Sequence, residues 1–184
     1  MTVGIRAAMR SDVGLHRDGN EDAAYAGARL LAVADGVGGN AGGERASAAV
    51  IDALKALDTD GAASDLASED LASALGEAVQ QANATLRDLV AAEPALRGMG
   101  TTLTAMLWSG SQVALVQVGD SRAYLLRGGE LFQITHDQTV VQALIDDGRI
   151  TPEQGMNHPQ RSLILQALDG GPVTPDLQDR KSVV

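Results

Sequence analysis

The chain has 184 residues, of which 45% are hydrophobic, with a net charge of −10 at pH 7 and no cysteine. The length suits one domain with a sizeable core, and the missing cysteines exclude disulfides, thiolate catalysis and zinc sites of the cysteine type. The acidic balance argues against nucleic-acid binding, because no basic face could hold phosphates. No signal peptide or membrane-spanning apolar run is visible, so we expect a cytoplasmic protein or protein segment.

The first predicted elements are a strand and a hairpin. Residues 3–11 predict a strand, and residues 12–22 a polar loop. Apolar segments at 23–25 and 29–34 lie on either side of Gly27, which predicts a hairpin closed around that glycine.

Two amphipathic helices are predicted next. Apolar residues recur with a 3.6-residue period over 44–57 and over 69–92, which is typical of helices with one buried face. The pattern predicts Glu69 and Asp70 in the first turn of the second helix, where negative charge is favourable, and a connecting loop over residues 58–68. We expect the two helices to pack together on one face of a sheet.

The apolar period then changes to two. Strands are predicted over 99–108, 112–118, 122–127 and 130–134. Short turns at Ser109-Gly110 and Gly128-Gly129 predict that these strands form an antiparallel meander.

A helical segment follows the strands. Residues 140–145 predict a helix that stops at Gly148, Thr151-Pro152 starts a shorter one, and residues 161–168 predict a last short helix or strand. Segregated helices and antiparallel strands indicate an α+β fold.

An acid followed by glycines stands out at Asp35-Gly36-Val37-Gly38-Gly39, directly after the apolar run 30–34. Carboxylate and carbonyl oxygens are the ligands that Mg²⁺ and Mn²⁺ prefer. The alternative is a tight strand-to-helix turn that Asp35 caps.

Three acidic positions are predicted to meet at one end of a sheet. They are Glu21-Asp22, Asp35-Gly36 and Asp120, and each lies next to an apolar strand. Carboxylates that converge there would repel one another unless a cation or protons neutralised them. Arg17 lies close to Glu21 in the chain, and its planar guanidinium suits a phosphate. The simpler alternatives are a turn capped by Asp120, a solvated loop at Glu21-Asp22 and a surface ion pair for Arg17.

Five short segments carry a resemblance to a known family. They are Ser11-Asp12-Val13-Gly14, Arg17 with Asn20-Glu21-Asp22-Ala23, Ala34-Asp35-Gly36-Val37-Gly38-Gly39, Gly98-Met99-Gly100-Thr101-Thr102 and Val118-Gly119-Asp120-Ser121-Arg122. In this order and spacing they resemble the bacterial branch of the metal-dependent (PPM-type) protein phosphatases, the protein phosphatase 2C family.

The resemblance implies a fold and a reaction. The fold is an α-β-β-α sandwich of antiparallel sheets flanked by helix pairs, and residues 138–168 resemble the family's flap segment. The reaction is hydrolysis of phosphoserine and phosphothreonine by a water that bridges two Mn²⁺ or Mg²⁺ ions, with a third ion at a weaker site. The implied partners are phosphorylated proteins, the targets of a serine/threonine kinase.

By position, the resemblance gives catalytic roles to Asp35 and Arg17, and Arg17 would also bind the substrate phosphate. The metal ligands that it implies are Asp35, Gly36, Glu21, Asp22 and Asp120. Asp35 would bridge two ions, Gly36 would offer its backbone carbonyl, and Asp120 would hold the third ion.

The chain departs from the family in several places. Val37 stands where many eukaryotic members carry a histidine, so a water or another group would protonate the leaving group. Gln138-Thr139 follows Asp137 where many relatives read Asp-His-Ser, and the later Ser-Asp-Gly and Asp-Asn segments, which supply metal ligands, do not occur. Residues 179–184 resemble the translation of a sequencing adapter.

We therefore expect residues 1–184 to be the N-terminal portion of a single phosphatase domain that is incomplete at its C-terminal end, with 179–184 an artificial tail. We expect this fragment to be inactive by itself. The alternative function is a non-catalytic, phosphatase-like binding module that lacks a complete metal site.

Overall fold

Six of the described strands form one antiparallel sheet. The computed structural model describes residues 5–15, 17–38, 42–58 and 71–180. Its strands are β1 (Asp22–Ala26), β2 (Leu30–Val37), β3 (Gly100–Thr101), β4 (Leu103–Ser109), β5 (Gln112–Val118), β6 (Tyr124–Arg127), β7 (Glu130–Gln133) and β8 (Asp176–Arg180). The main sheet has the order β1-β2-β4-β5-β8 with β3 paired to β2, and β6 and β7 form a separate hairpin.

Two long helices cover one face of this sheet. α1 (Gly42–Leu54) continues as a 3₁₀ turn over Lys55–Asp58, and α2 is Leu71–Ala92. α1 contacts β2, α2 contacts β5, and the two helices contact each other. The predicted packing of these helices on one sheet face is therefore confirmed. The start of the second helix at Glu69 and Asp70, and the loop before it from residue 59, lie outside the described residues.

The core lies between the helix pair and the sheet. Every second residue of the three central strands faces the helices and is buried: Leu30, Ala32, Ala34, Leu103, Ala105, Leu107, Ala114, Val116 and Val118. This alternation also places Asp35 on the opposite face of β2, while Gly36 faces α1. The fold thus directs the first acidic candidate away from the core.

Two short helices lie after the second hairpin. α3 (Val140–Asp146) begins at Thr139, whose side chain accepts a hydrogen bond from the Gln142 N–H, and Gly148 follows it with φ +68°. α4 (Pro152–Met156) begins at Thr151 with a capping box. Both helices and the stop between them agree with the sequence prediction. None of the helices in the described ranges is both long and apolar enough to cross a membrane.

The hairpin around Gly27 and the turn at Gly128-Gly129 are also confirmed, since β1 pairs with β2 and β6 with β7. The strand predicted over residues 3–11 is wrong over 5–11, and its first two residues lie outside the described ranges. Side chains from Arg6 to Leu15 are exposed, and β1 pairs with β2 alone among the described strands, so this segment has no sheet partner.

The predicted meander is wrong in one connection. β4 and β5 are paired as expected, but the second hairpin leaves the main sheet. The reason is that β8 occupies the edge of β5 that β6 would have taken. β8 itself was not predicted, because Asp176-Leu177-Gln178-Asp179-Arg180 carries only one apolar residue. Residues 161–168 form turns and isolated bridges rather than a helix or strand.

Candidate active site

A cleft of about 1610 Å³ brings most of the predicted site residues together. Arg17, Glu21, Asp35, Gly36 and Asp120 line it. Its other wall consists of residues from 137–164, which include α3 and α4. The three acidic positions therefore converge, as their places beside the strands predicted.

Asp35 differs from its predicted setting because β2 continues through Gly36 to Val37. The two residues thus lie inside a strand and not in a turn after it. Asp35 pairs across the sheet with Asp22, which is exposed and is not among the residues that line the cleft. Burial raises the pKa of Asp35, and so do the charge of Asp22 and a hydrogen bond between the two carboxyl groups. The charge of Asp120 raises this pKa further, while Arg17 lowers it.

Asp120 follows β5 at a sharp turn, where Gly119 has φ +92°. Burial raises the pKa of Asp120, and the negative charge of Asp137 raises it further against the opposing effect of Arg122. Two half-buried carboxyl groups in one cleft thus both favour protonation. The physical cause is the same for both: negative charge is desolvated and lies close to further negative charge.

Gly36 allows helix α1 to approach the site. A Cβ atom at Gly36 would lie 2.2 Å from the Gly43 carbonyl oxygen and 2.7 Å from the Glu21 carbonyl oxygen. The Gly36 N–H donates to the Glu21 carbonyl at 3.1 Å, and the buried Ser47 hydroxyl donates to the same carbonyl at 2.6 Å. These contacts fix the Glu21-Asp22 segment between β2 and α1.

The backbone of Asp35 is held by two threonines. The Thr102 hydroxyl accepts from the Asp35 N–H at 3.0 Å, while the Thr102 N–H donates to the Asp35 carbonyl at 2.9 Å. The Thr101 hydroxyl also donates to that carbonyl, at 3.0 Å. Sequence reasoning used both threonines as part of a motif but missed this contact with Asp35.

An ion pair with one buried partner, Asp137, and one exposed partner, Arg122, lies beside Asp120, and sequence reasoning did not assign it. The Nε of Arg122 donates to both carboxylate oxygens of Asp137, at 2.8 and 3.0 Å, and its Nη2 donates to one of them. The side chain of Asp137 is only 9% exposed, and Gln133 donates to it as well, at 3.2 Å. These bonds raise the pKa of Arg122. Arg122 was visible in the Val118–Arg122 motif, but nothing local predicted its partner.

The segment 138–168 is attached to the acidic side of the cleft through Gln138. The Gln138 N–H donates to the Gly119 carbonyl at 3.0 Å, and the Gln138 side chain accepts from the Gly119 N–H at 2.8 Å. The Leu165 N–H donates to the Gln138 carbonyl at 2.7 Å. A glutamine after Asp137 therefore has a structural partner next to Asp120.

Two of the three histidines lie in the described residues. His136 is exposed and hydrogen-bonds Asp146 of α3 at 2.7 Å, and His158 accepts from the Gln160 N–H. Neither lines the cleft. His16 lies outside the described residues.

The oxygen atoms at the acidic end of the cleft are of the kind that a hard cation prefers, but the described residues offer too few of them to hold one. The groups at the acidic end are carboxylate and backbone carbonyl oxygens, which Mg²⁺ and Mn²⁺ prefer over softer metals. Over 5–15, 17–38, 42–58 and 71–180, however, no three acidic or histidine side chains form a group that could hold a metal ion. The described residues thus offer oxygen donors of a suitable kind but do not form a metal site by themselves.

The sequence matches a known family over most of its length. A family model described as protein phosphatase 2C matches residues 15–144. Serine/threonine protein phosphatase PstP of Mycobacterium tuberculosis is 54% identical over 182 residues, which cover 99% of this chain and 34% of that protein. Serine/threonine phosphatase stp of Listeria monocytogenes is 36% identical over 169 residues, covering 89% of this chain and 67% of that protein. The chain therefore spans about a third of the mycobacterial relative.

Solved structures show the same fold. The crystal structure of the M. tuberculosis serine/threonine phosphatase PstP has a TM-score of 0.91 at 54% identity, covering 98% of this chain and 74% of that one. A PstP catalytic domain in complex with two manganese ions has a TM-score of 0.86 at 52% identity. The match covers 97% of this chain and 73% of that one. These likenesses confirm the predicted fold class.

Proposed function

Because the chain belongs to the protein phosphatase 2C family, we propose that it forms part of a metal-dependent protein serine/threonine phosphatase. The reaction would be hydrolysis of phosphoserine and phosphothreonine in proteins. The solved relative with two manganese ions supports Mn²⁺ as the cofactor, with Mg²⁺ as the other candidate on the chemistry of the oxygen ligands.

The observation that carries this proposal is that Asp35 and Asp120 line one cleft, and that Asp22 and Asp120 both lie near enough to Asp35 to raise its pKa. Burial raises the pKa values of Asp35 and Asp120, and neighbouring negative charge raises them further, from Asp22 and Asp120 at Asp35 and from Asp137 at Asp120. Their charged forms are therefore unfavourable without a counter-charge. A divalent cation supplies that counter-charge and prefers such oxygens.

Within the proposal, Asp35 and the Gly36 carbonyl would hold cations directly, Glu21 and Asp22 would act beside them, and Asp120 would hold a third cation. Two bound cations would lower the pKa of a water that bridges them and neutralise charge on the phosphoryl oxygens. The described residues are too few to complete such a centre. We therefore propose that further ligands come from outside them, and that the 184-residue chain by itself is inactive.

Arg17 would bind the substrate. It lines the cleft, is exposed, and lies near enough to Asp35 to lower the pKa of that carboxyl. Its guanidinium can donate two parallel hydrogen bonds to a phosphate. In this position it would orient the phosphoryl group above the acidic end of the cleft.

The substrates would be proteins phosphorylated by a serine/threonine kinase, which forms the phosphate esters that this enzyme would cleave. We propose the cytoplasm as the place where enzyme and substrate meet. Residues 138–168, which form the outer wall of the cleft, would act as the flap of a single phosphatase domain.

The incomplete acidic group favours one other function. A phosphatase-like binding module would keep Arg17 and the cleft but would hold no functional pair of cations. The two functions differ in one testable respect. Adding the missing metal ligands to the chain would produce hydrolysis if it is part of an enzyme, but not if it is a binding module.

A chimera separates the two functions. It joins this chain to the part of the solved M. tuberculosis PstP chain that the chain does not match, about a quarter of that structure. We expect the chimera to hydrolyse a phosphothreonine peptide with Mn²⁺, and residues 1–184 alone to be inactive. A folded chimera that binds phosphopeptide but does not hydrolyse it would favour the binding module.

A further inference from the structure

Thr102 joins the two sides of the acidic group. It lies between β3 and β4, is 1% exposed and lines the cleft. Its hydroxyl accepts from the Asp35 N–H at 3.0 Å and lies 2.7 Å from the Ser121 hydroxyl. A threonine hydroxyl has one proton and can accept as well as donate, so it can donate that proton to Ser121 while it accepts from Asp35.

Thr102 contacts both chain neighbours of Asp120. Besides the bond to Ser121, its methyl group packs against Gly119, where an added Cβ would lie 2.7 Å from the Thr102 Cγ2 atom. The Thr104 hydroxyl donates to the Ser121 carbonyl at 2.5 Å and holds the same turn from the next strand. The turn that presents Asp120 is thus built on Thr102.

We propose that Thr102 is a positioning residue that sets the separation between Asp35 and Asp120, so that both carboxylates act on the same group of cations. This inference rests on the proposed function, in which those two residues hold metal. Thr102 provides no ligand itself. It keeps β2 and the turn after β5 in one arrangement through its hydroxyl, which hydrogen-bonds to Asp35 on one side and to Ser121 on the other.

The consequence is a measurable effect on metal affinity. Groups that orient metal ligands typically change affinity by about 10–100-fold when they are removed. Thr102→Val keeps the shape and removes the hydroxyl, whereas Thr102→Ser keeps the hydroxyl. Thr135→Val is the matched control, because Thr135 is also buried and accepts one backbone hydrogen bond, from the Ala123 N–H at 3.1 Å.

The test is a titration of the PstP chimera, which supplies the further ligands, with Mn²⁺ alone. Binding is measured by the loss of the EPR signal of free Mn²⁺. We expect Thr102→Val to weaken binding about 10-fold or more, and Thr102→Ser and Thr135→Val to stay within about threefold of wild type. Amide hydrogen exchange at Asp35 should become faster in Thr102→Val, because its acceptor is gone. Ser121→Ala removes only the partner on the Asp120 side and should weaken Mn²⁺ binding in the same direction.

The outcomes separate this inference from the proposed function. Suppose that Asp35→Asn abolishes Mn²⁺ binding, as the proposed function requires. The role of Thr102 is then overturned if Thr102→Val binds Mn²⁺ as tightly as wild type, or if Thr135→Val loses as much affinity as Thr102→Val. If Thr102→Ser loses as much Mn²⁺ affinity as Thr102→Val, the role of the hydroxyl is overturned. If Thr102→Val does not fold, unchanged affinity in Ser121→Ala overturns the link to Asp120. Equal binding by wild type and Asp35→Asn overturns both the proposed metal site and this inference.

Discussion

Replacing Gly36 by alanine tests the contact between β2 and α1 that forms one side of the site. The new Cβ would lie 2.2 Å from the Gly43 carbonyl oxygen, about 1.2 Å short of the 3.4 Å at which ordinary van der Waals contact begins. The opposing atom belongs to the backbone, so no side-chain rotation can relieve the clash. The N terminus of α1 and β2 must therefore move apart.

The cost follows from what that movement breaks. Overpacking a close contact costs about 1–3 kcal/mol. The movement would also break the two hydrogen bonds to the Glu21 carbonyl, from Gly36 and Ser47. The loss of each bond would cost about 0.5–1.5 kcal/mol of stability. We expect a loss of about 2–6 kcal/mol from the free energy of unfolding, a large share of the 5–15 kcal/mol typical of a domain.

Urea unfolding followed by far-UV circular dichroism measures this change. Gly19→Ala is the matched control, since no atom lies within 4 Å of its added Cβ and its backbone is not left-handed; we expect a change below about 0.5 kcal/mol there. Equal stability of the two variants would refute the close approach of α1 to Gly36.

Three further predictions concern charges at the cleft. Arg17→Ala should raise KM for a phosphothreonine peptide more than it lowers kcat in the chimera, because Arg17 would hold phosphate equally in the ground and transition states; a large fall in kcat at unchanged KM would contradict this. Arg122→Met should cost about 2–3 kcal/mol in urea unfolding, below the 3–5 kcal/mol of a fully buried pair, because the Arg122 side chain is 47% exposed. Adding Asp137→Asn should recover part of that loss, and no recovery would refute the pairing. Burial and Asp22 raise the pKa of Asp35, so the folded chain binds this proton more tightly than the unfolded chain and loses stability as pH rises through the folded pKa. Asp35→Asn should therefore stabilise the chain in EDTA at pH 7, by a margin that shrinks towards acid pH in thermal unfolding; a margin that grows towards acid pH would contradict the sign.

Local patterns predicted the parts of the fold that depend on neighbouring residues. The apolar period of α1 and α2 and the turn at Gly128-Gly129 follow from side-chain spacing and glycine conformation, which the sequence displays directly. The edge position of β8 depends on pairing with β5, about sixty residues earlier, and its own residues show little apolar alternation. No local pattern could have placed it.

In the candidate site, too, features that depend on local sequence were predicted and features that depend on distant packing were not. The positions of Asp35 and Asp120 beside strands were enough to predict that they converge. The partners of Thr102 and the pairing of Arg122 with Asp137 depend on how distant segments pack, so sequence reasoning missed both. The glycine after Asp35 suggested a turn. In the structure Gly36 lies inside β2, where the absence of a side chain allows α1 to pack closely against the strand.

The central claim is that Asp35 belongs to a metal-dependent hydrolytic site, and Mn²⁺-dependent turnover by two variants of the PstP chimera tests it most directly. Asp35→Asn removes the carboxylate at the acidic end of the cleft, and Asp18→Asn removes an exposed carboxylate that lines the same cleft. We predict that Asp35→Asn loses nearly all Mn²⁺-dependent hydrolysis of a phosphothreonine peptide, because the cations lose a ligand charge, and that Asp18→Asn stays within a few-fold of the unmodified chimera. Activity of Asp35→Asn within a few-fold of the unmodified chimera would contradict the account.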